Sequence, residues 1–225
     1  MEGRYVLIGG QNSNIITSID HKIIELSNKK NPNLLYIGFG SKYAEADYKK
    51  IKKKYEILEC NTRQLKIKNL SNKGLLKEKL KDVDIIYIGG GDTILLKEIM
   101  NQYHLKDLLK EKIKNGCVLV GVSAGAIILS KEGYSDSYII RKEKDHYDFV
   151  EGYNFINIII SPHYEKKSIK TKELIEDCIK MKKEVIALPN DSALIIENNK
   201  ITMINENNNE KITVYNKMGS IDNEK

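Results

Sequence analysis

The sequence predicts an α/β fold: a single-domain, three-layer α/β/α sandwich over residues 1–225, built on a mostly parallel, doubly wound sheet with a C-terminal antiparallel hairpin. Three observations predict it. Short apolar runs alternate with longer amphipathic stretches through the first half of the chain, which implies parallel strands joined by right-handed helical crossovers. Four of the first five runs end in a glycine pair, a glycine triplet or a serine flanked by small residues. Late in the chain, three further apolar runs are separated only by short polar turns, the pattern of antiparallel strands.

Taken in order, Tyr5-Val6-Leu7-Ile8 is a strand ending at Gly9-Gly10, with a helix expected over 15–28. Leu34-Leu35-Tyr36-Ile37 ends at Gly38 and precedes a helix over 43–54. Residues 55–58 form a third candidate strand, with mostly helix over 70–81. Residues 84–88 form the fourth strand, ending at Gly89-Gly90-Gly91, with helices over 93–100 and 105–114. The fifth, 118–122, ends at Ser123. The second half offers strands at 158–160 and 185–188 around a helix over 168–182. Strands at 193–196, 201–204 and 212–215 follow, then a polar tail from about 216 to 225. Ligands bind beyond the carboxyl ends of parallel strands, so the glycine-rich loops and Ser123 are expected to share one functional face.

Composition narrows the function. A net charge of +6 suggests polyanions, but the lysines are interleaved with acids, as in Lys170-Thr171-Lys172-Glu173. No basic stripe carries aromatics spaced for base stacking, so nucleic-acid binding is not expected. The longest apolar stretch, 118–129, is too short to span a bilayer. With no leader-like start, a cytoplasmic protein without membrane association is expected. Cys60, Cys117 and Cys178 are widely spaced and odd in number, which fits neither a disulfide framework nor a metal site. No metal or cofactor is expected.

The run Gly121-Val122-Ser123-Ala124-Gly125, between an apolar strand and a helix start, has the form of a nucleophile elbow. A serine needs a base, most often histidine. Of the four histidines, His21 and His104 read as surface residues, and His146 lies in a charged loop. His163 follows the apolar run and Pro162 at a strand end, where a partner of Ser123 must lie. Gly89-Gly90-Gly91-Asp92-Thr93 reads either as a tight turn with a capped helix or as an oxyanion hole of bare N–H groups. It matches neither a P-loop nor a dinucleotide fingerprint.

Together with Tyr134-Ser135-Asp136-Ser137 and Ser161-Pro162-His163, these motifs resemble the aspartyl dipeptidase (dipeptidase E) and cyanophycinase family of serine peptidases, in order and spacing from Gly9 to about Ile196. The resemblance implies a class I glutamine-amidotransferase-like fold, Ser123 as nucleophile, His163 as base, and oxyanion N–H groups from Gly90 or Gly91 and Ala124. It implies a substrate of short peptides, chiefly dipeptides with an N-terminal acidic residue. A cyanophycinase-like hydrolase of aspartyl-linked amides and a non-catalytic binding protein of the same fold are the alternatives. In the family the residue that orients the histidine is the acid of a Leu-x-(Glu or Asp)-Gly-Ser turn. Here that run is Leu188-Pro189-Asn190-Asp191-Ser192, which puts asparagine in the acid's place. Asp191 ranks first as the orienting residue, Asn190 second and Asp136 third. Asp92 and Thr93 are further candidates for substrate contact. Arg141 is the candidate cation for an acidic side chain, against its plainer reading as a solvated loop charge. The expected partner is a small peptide substrate, with a homodimer left open.

Overall fold

The computed structural model describes residues 3–11, 15–207, 209–216 and 219–221. Strands β1 (Arg4–Ile8), β2 (Asn33–Ile37), β3 (Asn61–Leu65), β4 (Ile85–Ile88) and β5 (Val118–Val122) lie parallel in one sheet. Helices α1 (Ser18–Ser27) and α2 (Ala44–Ile57) cover one face. The connections α3 (Ile67–Leu70), α4 (Lys73–Leu80), α5 (Thr93–Gln102) and α6 (Leu105–Lys114) pack on the other. Strands β1, β2, β4 and β5 are apolar on both sides because both sides are covered. In β1, Val6 and Ile8 meet Ile19 and Ile23 of α1, whereas Tyr5 and Leu7 share the opposite core with Leu96 and Leu109.

After β5 come α7 (Ala124–Leu129), β6 (Ser130–Ser135), α8 (Ser137–Ile140), β7 (Asp148–Glu151), β8 (Ile156–Ser161), α9 (Ile169–Met181) and β9 (Val185–Ala187). The hairpin β10 (Ser192–Glu197) and β11 (Lys200–Asn205) follows, then β12 (Thr213–Asn216) and β13 (Gly219–Ile221). The hairpin turn is Asn198-Asn199, both at positive φ (50° and 65°), as a two-residue type I′ loop requires. The first sheet therefore runs β11-β10-β1-β5-β4-β2-β3.

Two expectations are corrected here. The chain builds a second sheet, β13-β12-β9-β8-β6-β7, in addition to the expected parallel sheet with its β10–β11 hairpin. Ile156 and Ile160 of β8 bury one face of it against the main core around α7. Tyr134, Phe149, Val185 and Ala187 bury the other under Leu174 and Cys178 of α9. The expected strand at 212–215 joins this sheet beside β9, not the hairpin. Five of the six residues of β6 are polar or glycine, so no apolar run announces it. Likewise, 55–58 is not a strand. Helix α2 continues to Ile57, because Tyr55 is buried there with its hydroxyl donating to Asp20 Oδ1 (2.9 Å). The actual strand, Asn-Thr-Arg-Gln-Leu, is a polar edge strand with no hydrophobic run. Of the expected tail, 217, 218 and 222–225 lie outside the described residues.

Candidate active site

Because β1, β2, β4 and β5 are parallel, the loops at Gly9, Gly38, Gly89 and Ser123 meet at one end of the sheet. Ser123 sits between β5 and α7 with φ 53° and ψ −113°, a backbone that a residue with a side chain adopts only under constraint. The constraint is visible. Ser123 N donates to Ile8 O (3.0 Å), and Ile127 N donates to Ser123 O (3.0 Å). A Cβ on Gly121 would lie 2.4 Å from Gly125 O, and one on Gly125 would lie 2.1 Å from Ile88 O. Small residues on both sides of the serine are thus required for the turn to pack against β4.

His163 follows β8 and is held by its N–H donating to Gly9 O (3.1 Å). Its Nε2 is 2.8 Å from Ser123 Oγ, and its Nδ1 is 2.6 Å from Asn190 Oδ1. The asparagine oxygen accepts, so Nδ1 carries the proton and Nε2 presents its lone pair to the serine O–H. Asn190 lies in the β9–β10 turn, fixed by Asp191 N donating to Gly10 O (2.8 Å) and Asn207 Nδ2 donating to Asn190 O (3.1 Å). A Cβ on Gly10 would fall 2.0 Å from Asn190 Oδ1 and 2.6 Å from the imidazole, so this contact needs glycine at that position.

The order of candidates for the orienting residue is corrected by this geometry. Asn190 occupies Nδ1, whereas Asp191, ranked first, takes the left-handed position of the turn (φ 57°) and carries its backbone bonds. Asp136 lines a neighbouring pocket instead.

Gly90 and Gly91 follow β4, and the Gly90 backbone lies against the serine, 3.3 Å from Ser123 Cβ at its would-be Cβ. Among the described residues the Gly90 and Gly91 N–H groups have no acceptor. Ala124 begins α7, so its N–H also lacks an intrahelical partner. Gly90 and Gly91 border the same cavity as Ser123, and Ala124 follows the serine directly, so these N–H groups are candidates to hold an anionic oxygen.

Beside Ser123 lies a cavity of about 230 Å³, bordered by Thr93, Tyr134, Asp136, Tyr147, His163 and Lys170. Lys170, in the first turn of α9, donates from Nζ to Pro162 O (2.5 Å) and stands 5.5 Å over the Tyr147 ring. Burial pulls its pKa down to about 8, with Asp136 opposing the shift. The His163 pKa is lowered by burial and by the Lys170 charge, against the Asn190 bond, Asp136 and Glu165. Thr93 is tied to the 134–137 segment: its N–H donates to Ser137 Oγ (2.8 Å), and its hydroxyl meets Ser135 Oγ (3.2 Å). These bonds hold Asp136 at the pocket.

Two predicted substrate contacts are not brought to the pocket. Asp92 is the N-cap of α5, accepting from Ile94 N (2.9 Å) and Leu95 N (3.3 Å). Arg141 is paired with Glu143 (2.7 Å), Glu98 (3.3 Å) and Asp92 (3.7 Å). The cation of the cavity is Lys170, one lysine among many in the sequence. Its seven-residue distance from His163, within the helix that begins beyond it, is the signal that could have marked it. His146 pairs with Asp145 (3.0 Å) on the exposed loop.

The sequence matches the family model described as Peptidase family S51 over residues 5–204. The chain belongs to peptidase family S51. Relatives at curated level include the uncharacterized peptidase YgaJ of Bacillus subtilis (29% identity over 120 residues, 53% of this chain and 52% of that one). Peptidase E of Shewanella putrefaciens is 30% identical over 140 residues, 58% of this chain and 57% of that protein. The chain thus spans about half the length of the curated relatives it matches. A crystal structure of a peptidase from an acI-B1 Actinobacterium has the same fold: TM-score 0.70 and 20% identity, covering 98% of this chain and 97% of that one. The S51 chain therefore has the α/β, glutamine-amidotransferase-like architecture expected from the resemblance. Among the described residues, no helix is long and apolar enough to cross a membrane.

Proposed function

We propose that this S51 peptidase hydrolyses short peptides with an N-terminal acidic residue through an acyl-enzyme on Ser123. The single observation that carries the proposal is the Ser123 Oγ–His163 Nε2 contact of 2.8 Å, with the other ring nitrogen held by Asn190 at 2.6 Å. His163 Nε2 takes the serine proton as Oγ bonds to the scissile carbonyl carbon. The oxyanion is received by the N–H groups of Gly90 or Gly91 and Ala124. The C–N bond breaks as the amine takes the proton from His163. Water, giving its proton to the same nitrogen, then releases the acid and restores the serine.

The pocket beside Ser123 supports the acidic preference. Lys170 supplies a charge for the side-chain carboxylate, and Asp136 supplies one for the free amine. A charge-assisted contact contributes about 1.5–3 kcal/mol, so kcat/KM for aspartyl p-nitroanilide should exceed that for leucyl p-nitroanilide by roughly tenfold to a hundredfold. Equal turnover of the two would remove the acidic preference from the account. A second reading, a binding protein of this fold without turnover, draws on Asn190: a neutral partner orients an imidazole but does not stabilise the imidazolium.

A further inference from the structure

A second cavity, of about 410 Å³, reaches Ser123 and His163 from the α1–α2 face of the central sheet. Its walls include Tyr36, Tyr87 and Lys54, and it touches Gly89 and Gly90 beside the serine. We propose that this cavity is the leaving-side subsite, which binds the free α-carboxylate of the amino acid expelled from Ser123. The inference rests on the peptidase reading above and adds to it the chemistry of the leaving group.

Three observations carry it. The smaller Lys170 cavity, with its acid and its cation, suits a residue whose amine is free, so a chain passing the serine continues on the other side. That other side is polar at depth. Lys54 is 4% exposed and paired with Asp20 Oδ2 at 2.5 Å, and no second acceptor among the described residues meets its remaining ammonium N–H groups. The buried Tyr87 hydroxyl, which faces the Gln11 side chain, completes no hydrogen bond of sound geometry. Buried donors are nearly always satisfied, and a group left open in a cavity is one a ligand can satisfy. Finally, the cation at the mouth, Lys50, has no ion pair among the described residues. The acid on the lining, Asp47, accepts from Ser41 Oγ (2.7 Å). A carboxylate entering here meets Lys50 first and the Tyr87 and Lys54 donors beyond it. Asp20, which pairs with Lys54, is itself fixed by Tyr55 and Thr17. The cavity volume is within the ~300–1,000 Å³ range of small-ligand sites.

Calorimetry on Ser123→Ala protein, which binds without turnover, tests the subsite separately from the nucleophile. Aspartyl-leucine should bind about tenfold or more tighter than aspartyl-leucinamide, since only the acid presents a carboxylate. Lys50→Ala and Tyr87→Phe, made in the same background, should bring the two ligands within about twofold. Both spare the buried Lys54–Asp20 pair. Equal binding of acid and amide by Ser123→Ala would overturn the subsite. So would an acid preference that survives both substitutions, or failure of either peptide to bind. Loss of the nucleophile reading alone, seen as absence of covalent labelling of the wild type, leaves this binding result intact.

Discussion

Asn190→Asp should raise kcat/KM towards aspartyl p-nitroanilide by at least about tenfold. Asn190 already holds the imidazole in the productive tautomer, so the gain comes from the charge alone, placed at a position already 2.6 Å from Nδ1. The imidazolium formed as Ser123 loses its proton gains a full opposite charge instead of a dipole. The same substitution carries a second signature. Burial and Lys170 hold the His163 pKa below its ordinary value, so the wild-type rate should fall only at pH below the usual histidine range. A carboxylate on Nδ1 favours the protonated ring, which raises that pKa and moves the acid limb to higher pH. Asp191→Asn, which keeps a side chain suited to the left-handed position, should leave both rate and acid limb unchanged. If Asp191→Asn is the damaging change and Asn190→Asp is neutral, the order of these two residues is reversed.

The second large effect belongs to Lys170. Lys170→Met should lower kcat/KM for the aspartyl substrate by roughly tenfold to a hundredfold and spare the leucyl substrate, because the methionine keeps the packing and removes the charge. The wild-type enzyme should show the same loss as a function of pH. Its lysine is charged below a pKa of about 8 and neutral above it, so preference for the acidic substrate falls as pH rises through that value. An alkaline limb is therefore expected for the aspartyl substrate only, and it should vanish in Lys170→Met. Removing the cation also relieves the charge that lowers the His163 pKa, so the acid limb should move up. An alkaline limb common to both substrates would assign it to another group.

How much of this was legible follows from where each signal resides. The strands of the central sheet are apolar on both faces and are visible as runs, and the elbow is visible because Gly121 and Gly125 have no room for a Cβ. Ser123 and His163 could be paired from sequence because each follows the carboxyl end of an apolar run. The edge strand Asn61–Leu65 and the mostly polar β6 left no run, since each is covered only in part. Without β6 the second sheet was invisible, and so was its role in holding Asp136 at the pocket. The orienting residue was misranked because register alone pointed to Asn190, and chemistry pulled towards the adjacent acid. Lys170 and Arg141 differ in burial and partners, which no local pattern encodes.

The central claim is that Ser123 is the activated hydroxyl. A fluorophosphonate probe reacts with such a serine and can be mapped by peptide mass spectrometry. The account predicts one label on native wild-type protein, on the peptide that contains Ser123, lost in Ser123→Ala and strongly slowed in His163→Ala. A native enzyme that stays unlabelled, or that carries the label elsewhere, would contradict it.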